Sequence, residues 1–236
     1  MCRLLAFHVK GKLDNNLIQA LKKVSEYDEL SMYKGHPDGW GIVALVREGK
    51  DWNMIYHRSS KPAYQDSRFD EIEISGDEII GIAHVRKAGK MFLLGVNHSH
   101  PYHLRSSGYD LFFAHNGSVN RTAFSSPQMP YTDSYLILHD ISSLIDEGYS
   151  PSEAYRKEFE RIMSVSSSLN SALLYMRGKE VGLIILHYFN KELMHEKNEE
   201  YYKIYCDSNY CVSSSLLKYL PKNYSMERIP IGFKQL

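Results

Sequence analysis

Nine short stretches rich in β-forming residues recur along the chain, at 3–9, 40–47, 52–58, 79–86, 110–115, 171–176, 181–188, 201–206 and 210–213. Each is bounded by Gly, Pro, Asn, Asp or charge, the usual edges of a strand. Three segments have helical period instead. Residues 15–27 put Leu17, Ile18, Leu21 and Val24 on one face, and residues 133–147 do the same with Ile137, Leu138, Ile141, Leu144 and Ile145, with Gly148 as a C-terminal cap. Residues 151–164 begin with Ser150, Pro151 and Glu153, a capping-box pattern with Pro at the first helical position. Strands and helices therefore do not alternate one for one. That disfavours a doubly wound parallel sheet and predicts an α+β fold, two stacked antiparallel sheets with helices outside. Without repeats or a linker-like tract, residues 1–236 read as a single domain.

A chain of 236 residues can bury a core without a disulfide or metal staple. Lys+Arg and Asp+Glu both total 28, a balance that argues against holding a polyanion, so no nucleic-acid partner is expected. No apolar run approaches the ~18–20 residues of a membrane span. The apolar stretch before His8 is too short for a signal peptide. Three cysteines are too few for a disulfide framework. A cytoplasmic protein is expected, with Cys206 and Cys211 as free thiols.

Four features carry chemistry. Removal of Met1 would leave Cys2 N-terminal, its thiol beside an α-amine of pKa ~7.7–8.0 that can take the thiol proton near neutrality. His115-Asn116-Gly117 follows the strand at 110–115. Asn-Gly is first of all a hairpin turn, but the Asn116 amide and the Gly117 N–H can also pair as an oxyanion hole. Gly81-Ile-Ala-His-Val-Arg86 ends a strand in charge, and an Arg projecting into a cleft offers a fork to a carboxylate. Thr132-Asp133 precedes a helix, where such residues ordinarily cap; Asp133 could also bind an ammonium group. Gly39-Trp40-Gly41 fits the letters of a dinucleotide fingerprint, but a strand follows it rather than a helix, so it is rejected. The histidines at 98, 100 and 103, with His84 and His115, have no cysteine or carboxylate close in sequence to complete a zinc set. No metal and no cofactor is expected.

Taken in order, Met1-Cys2-Arg3, Pro37-Asp-Gly-Trp-Gly41, Gly81-Ile-Ala-His-Val-Arg86, Asn97 with His100-Pro101-Tyr102, Phe113-Ala-His-Asn-Gly117 and Thr132-Asp133-Ser134 resemble the class II glutamine amidotransferases. Cys211-Val-Ser-Ser-Ser and Ile229-Pro-Ile-Gly-Phe233 are similar to the closing strands of that family's stand-alone branch. The resemblance implies a four-layer αββα N-terminal nucleophile hydrolase sandwich. It implies Cys2 as nucleophile with its freed amine as base, and Asn116 and Gly117 as the oxyanion hole. Arg86 would grip the substrate α-carboxylate and Asp133 the α-ammonium.

The implied activity is cleavage of the side-chain amide of glutamine, or of a related γ-glutamyl amide, through a thioester on Cys2. One departure stands out. Synthase-linked members follow the Arg with Trp and Ala-Thr-His, whereas Lys87, Ala88, Gly89 and Lys90 stand here. With no second domain in view, an ammonia acceptor would bind a separate subunit, or water would be the acceptor. The alternative is a non-catalytic amino-acid-binding subunit of a partner enzyme. A third reading is a histidine-bound metal hydrolase.

Overall fold

The structure, a computed structural model, describes residues 2–89 and 93–236. In chain order it runs β1 (Arg3–Lys12), α1 (Asn15–Glu26), β2 (Trp40–Glu48), β3 (Asp51–Ser59), α2 (Ser67–Asp70), β4 (Ser75–Val85), β5 (Tyr102–Ser106) and β6 (Tyr109–Asn116). Then follow α3 (Asp133–Asp146), α4 (Pro151–Ile162), β7 (Asn170–Arg177), β8 (Glu180–His187), β9 (Ile204–Cys206), β10 (Tyr210–Ser213), β11 (Glu227–Arg228) and β12 (Gly232–Gln235). Seven strands form one sheet in the order β11-β9-β10-β1-β4-β2-β3, and five form another in the order β12-β8-β7-β6-β5. Every pairing between these strands is antiparallel.

Period-two alternation sorts each strand's side chains between two layers. On β1, Leu5, Phe7 and Val9 pack under Leu17, Leu21 and Val24 of α1. Leu4 and Ala6 turn the other way and meet Phe112, Ala114, Ala172 and Leu174 of the second sheet. On β6, Leu111 and Phe113 pack against Leu138 and Ile141 of α3 and Ala154 and Tyr155 of α4. The result is helix, sheet, sheet, helix: the expected αββα sandwich. Burial of each fully enclosed leucine, such as Leu17 or Leu21, contributes about 2 kcal/mol.

The helices begin and end where their caps lie. The Ser150 hydroxyl accepts from the Glu153 N–H while the Glu153 carboxylate accepts from the Ser150 N–H. Gly148, with φ +103°, follows α3 just past its end. Trp40 opens a strand after a loop, in keeping with rejection of the dinucleotide fingerprint. Among the described residues, no helix is long and apolar enough to cross a membrane.

Four local readings need correction. β5 was not expected, because residues 97–103 read as a polar histidine run. It pairs with β6 across Ser107 (φ 47°) and Gly108 (φ 82°), whose two positive φ values suit a tight hairpin. The strand expected at 201–206 shrinks to Ile204–Cys206, because Tyr201 and Tyr202 belong to a 3-10 turn packed on Phe189. Asn116-Gly117 is no hairpin: the chain leaves β6 for α3 and α4 before β7 returns beside it. Finally, Cys206 and Cys211 are not free thiols. They face each other across β9 and β10 and form a disulfide, so the free-thiol argument for a reducing compartment does not hold for that pair.

Candidate functional site

The same alternation that builds the core assembles the site. Cys2 continues the inward series Ala6, Leu4; His84 and Arg86 continue Ile80, Ile82; Asn116 continues Phe112, Ala114. β1 and β4 pair with Leu4 opposite His84 and Arg3 opposite Val85. Three chain segments far apart in sequence thus reach one end of the inter-sheet space.

Cys2 is buried, and its backbone nitrogen donates to Asn116 Oδ1 at 2.9 Å. Its thiol lies 3.8 Å from the Lys87 carbonyl. Only the oxygen of the Asn116 amide can accept from Cys2, so its NH₂ group faces the other way as a donor. Gly117 follows in a tight passage. A Cβ there would sit 1.9 Å from the Ser168 carbonyl oxygen, so only glycine fits. Reciprocal bonds hold the next residue: Ser118 N donates to Ser167 Oγ at 3.1 Å, and Ser167 N to the Ser118 carbonyl at 2.9 Å.

Asp133 is not the cap of α3. That role belongs to Thr132, whose hydroxyl accepts from Tyr135 N. Asp133 instead accepts from Val119 N and Ser134 N, both at 2.9 Å, tying the loop after Gly117 to the helix. Arg86 is 3% exposed and donates through Nη1 to the Leu93 carbonyl at 2.8 Å. Among the described residues its remaining guanidinium N–H groups have no hydrogen-bond acceptor. Met1, before Cys2, and Lys90, in the divergent loop after Arg86, lie outside the described residues. A cleft of about 520 Å³ lined by His8, Arg47, Trp52, Glu78 and Lys179 opens at the opposite end of the sandwich, remote from Cys2. The chemical groups, rather than cleft volume, locate the candidate site.

The family model of the class II glutamine amidotransferases matches residues 1–172. The chain belongs to that family. Among solved structures, a glutamine aminotransferase class-II domain protein from Silicibacter pomeroyi is 15% identical, with a TM-score of 0.51 over 100% of this chain and 98% of its own. A predicted glutamine amidotransferase from Pseudomonas aeruginosa is 16% identical, with a TM-score of 0.42 over 89% and 78%. No curated protein matches. At these identities the first likeness speaks for the fold alone.

In this class II glutamine amidotransferase, several residues support the site through contacts that the sequence does not announce. Asp38 accepts from Lys87 Nζ and Ala88 N, both at 2.8 Å, anchoring the divergent loop after Arg86. Beneath Cys2, fully buried Arg3 donates to Asp28 at 2.6 Å and to the Tyr201 carbonyl at 2.9 Å, with its guanidinium 3.6 Å from the Tyr201 ring centre. Asp28 also accepts from His36 at 2.9 Å and Ser215 at 2.7 Å. Burial pushes the Asp28 carboxyl up, but bonds from His36 and Arg3 hold it below the usual carboxylate range. Burial pushes His36 down to about 4 against the opposing pull of Asp28. No spacing rule links residues 3, 28 and 36, so sequence carried no signal for this network.

The histidines divide by face. His115 points outward to α3, where its Nε2–H donates to the Ser168 carbonyl at 3.1 Å and its Nδ1 accepts from Ser134 at 3.0 Å. His103 stacks on Phe112 and bonds Asp110. His84 and His100 turn toward Cys2.

Proposed function

We propose that this chain is a cysteine amidohydrolase acting on glutamine or a related γ-glutamyl amide. Removal of Met1 frees the Cys2 amine, which takes the thiol proton. The thiolate attacks the side-chain amide carbon. Charge developing on the carbonyl oxygen is stabilised by the Asn116 amide and the Gly117 N–H. The tetrahedral adduct collapses as the Cys2 ammonium gives its proton to the leaving nitrogen, releasing ammonia or an amine. Water then hydrolyses the γ-glutamyl thioester, giving glutamate and the free thiol. Arg86 holds the α-carboxylate and Asp133 the α-ammonium.

The observation that carries this reading is the bond from Cys2 N to Asn116 Oδ1, which joins nucleophile and oxyanion donor in one unit. The fixed passage at Gly117 and the carboxylate of Asp133 beside it support the same reading. Water receives the γ-glutamyl group, and the released nitrogen leaves to solvent or passes to a separately bound acceptor subunit.

The test is glutamate release from L-glutamine and a set of γ-glutamyl amides, using protein whose mass confirms loss of Met1. Turnover lost in Cys2→Ala is the expected result. Turnover retained in Cys2→Ala overturns the mechanism. Glutamine binding without turnover in processed protein favours the non-catalytic binding subunit instead.

A further inference from the structure

His84 and His100 are placed against the Cys2 thiol with nothing to bond. His84 lies on β4 opposite Leu4 and Gly41, with its side chain in the inter-sheet space. His100 reaches the same place because its backbone crosses β2 at Gly41, where a Cβ would come 2.3 Å from the His100 carbonyl oxygen. The two rings meet edge to face, 4.3 Å between centres, and the residues are 0% and 3% exposed. Neither ring nitrogen of either residue has a hydrogen-bond partner among the described residues. A buried polar group left without a partner is destabilising. Two buried imidazoles without a partner, each with one nitrogen within 4.8 Å of the same thiol, therefore call for a ligand.

One donor atom from each of Cys2, His84 and His100 lies within 4.8 Å of the others. Donors around a tetrahedral zinc ion stand roughly 3.3–3.6 Å apart, given Zn–S near ~2.3 Å and Zn–N near ~2.0 Å. Ligation requires the three donors to stand at that spacing. We propose that Cys2, His84 and His100 form a site for Zn²⁺ or a similar thiophilic divalent cation, with water in the fourth position, and that occupancy caps the Cys2 sulfur. The site stands on geometry; its effect on turnover rests on the reading of Cys2 as nucleophile.

The donor chemistry fits. One thiolate and two imidazoles favour zinc and copper over magnesium or calcium. Binding replaces the S–H bond with a sulfur–metal bond and releases that proton to solvent, with no electron transferred. The nearby Arg86 guanidinium opposes a further positive charge, which makes the site weaker than a closed structural zinc site and readily reversible.

The test is titration of chelator-stripped protein with Co²⁺. The expected result is a thiolate-to-cobalt charge-transfer band saturating at one equivalent, displaced by Zn²⁺ and unaffected by Mg²⁺. Cys2→Ala removes the band, and His84→Gln and His100→Gln each weaken binding by at least about tenfold, with thermal unfolding showing that the variants are folded. No charge-transfer band in the native protein overturns the site, as does unchanged affinity in both histidine variants. In the glutamate-release assay, Zn²⁺ suppresses turnover and a chelator restores it. A cobalt band in protein that turns over no amide upholds the site and counts only against the hydrolase reading. Turnover without a band sinks the site alone.

Discussion

The backbone nitrogen of Cys2 donates to Oδ1 of Asn116 at 2.9 Å, spanning 114 positions of sequence and the gap between the two sheets. This bond orients both ends of the proposed reaction, the attacking sulfur and the amide that receives the developing charge. Asn116→Asp keeps an acceptor for Cys2 and removes the donor. Glutamate release by that variant is expected to fall by about 10²–10³-fold while the far-ultraviolet circular dichroism stays native. Unchanged turnover would remove Asn116 from the oxyanion hole.

Gly117 tolerates no side chain, because its Cβ would lie 1.9 Å from the Ser168 carbonyl oxygen. Gly117→Ala must push the loop away from Ser168 and from the Asn116 amide. A loss of about 1–3 kcal/mol in urea unfolding is expected, with reduced turnover. Native stability in this variant would mean that the loop yields freely.

The Arg3–Asp28 pair is wholly enclosed, whereas Lys22–Asp70 is partly in solvent. Asp28→Ala strands a buried guanidinium and is expected to cost about 3–5 kcal/mol. Asp70→Ala should cost less than about 1 kcal/mol. Denaturant unfolding of the two variants side by side checks the contrast.

Acid should destabilise the protein through His36, whose pKa falls from 6.5 to about 4, chiefly because it is buried. The unfolded chain takes up this proton near pH ~6.5, but the folded chain does so only near pH 4. The contribution is therefore fully present above pH ~6.5 and is lost as pH falls toward the folded value, a change of the order of 3 kcal/mol. Unfolding free energy measured across this window should fall less steeply in His36→Gln than in the parent.

The Cys206–Cys211 bridge predicts a thiol count. With three cysteines in the chain, one thiol should react in denatured, unreduced protein and three after reduction. Three before reduction would restore the free-thiol reading.

The fold was largely legible because its signals are local. Alternation at Leu4 and Ala6 against Leu5 and Phe7 marks a strand buried on both faces, and the spacing of Leu17, Leu21 and Val24 marks the helix that covers one of them. Segments whose structure depends on distant packing were misread. β5 looks polar alone and becomes a strand only beside β6, and Tyr201 is drawn out of a strand to lie under Arg3.

The sequence by itself determined the chemical groups on which the proposed reaction draws: a cysteine at position two, an Asn-Gly pair ending a strand, an arginine ending another and an aspartate at a helix start. Tertiary structure alone decided their partners. It handed the capping role to Thr132 and tied Asp133 to the Gly117 loop. It sent His115 outward, and it turned His84 and His100 inward to Cys2. Strand pairing fixes register to a single residue, and one step of register changes which side chains share a face. No spacing along the chain encodes that relation between strands far apart in sequence.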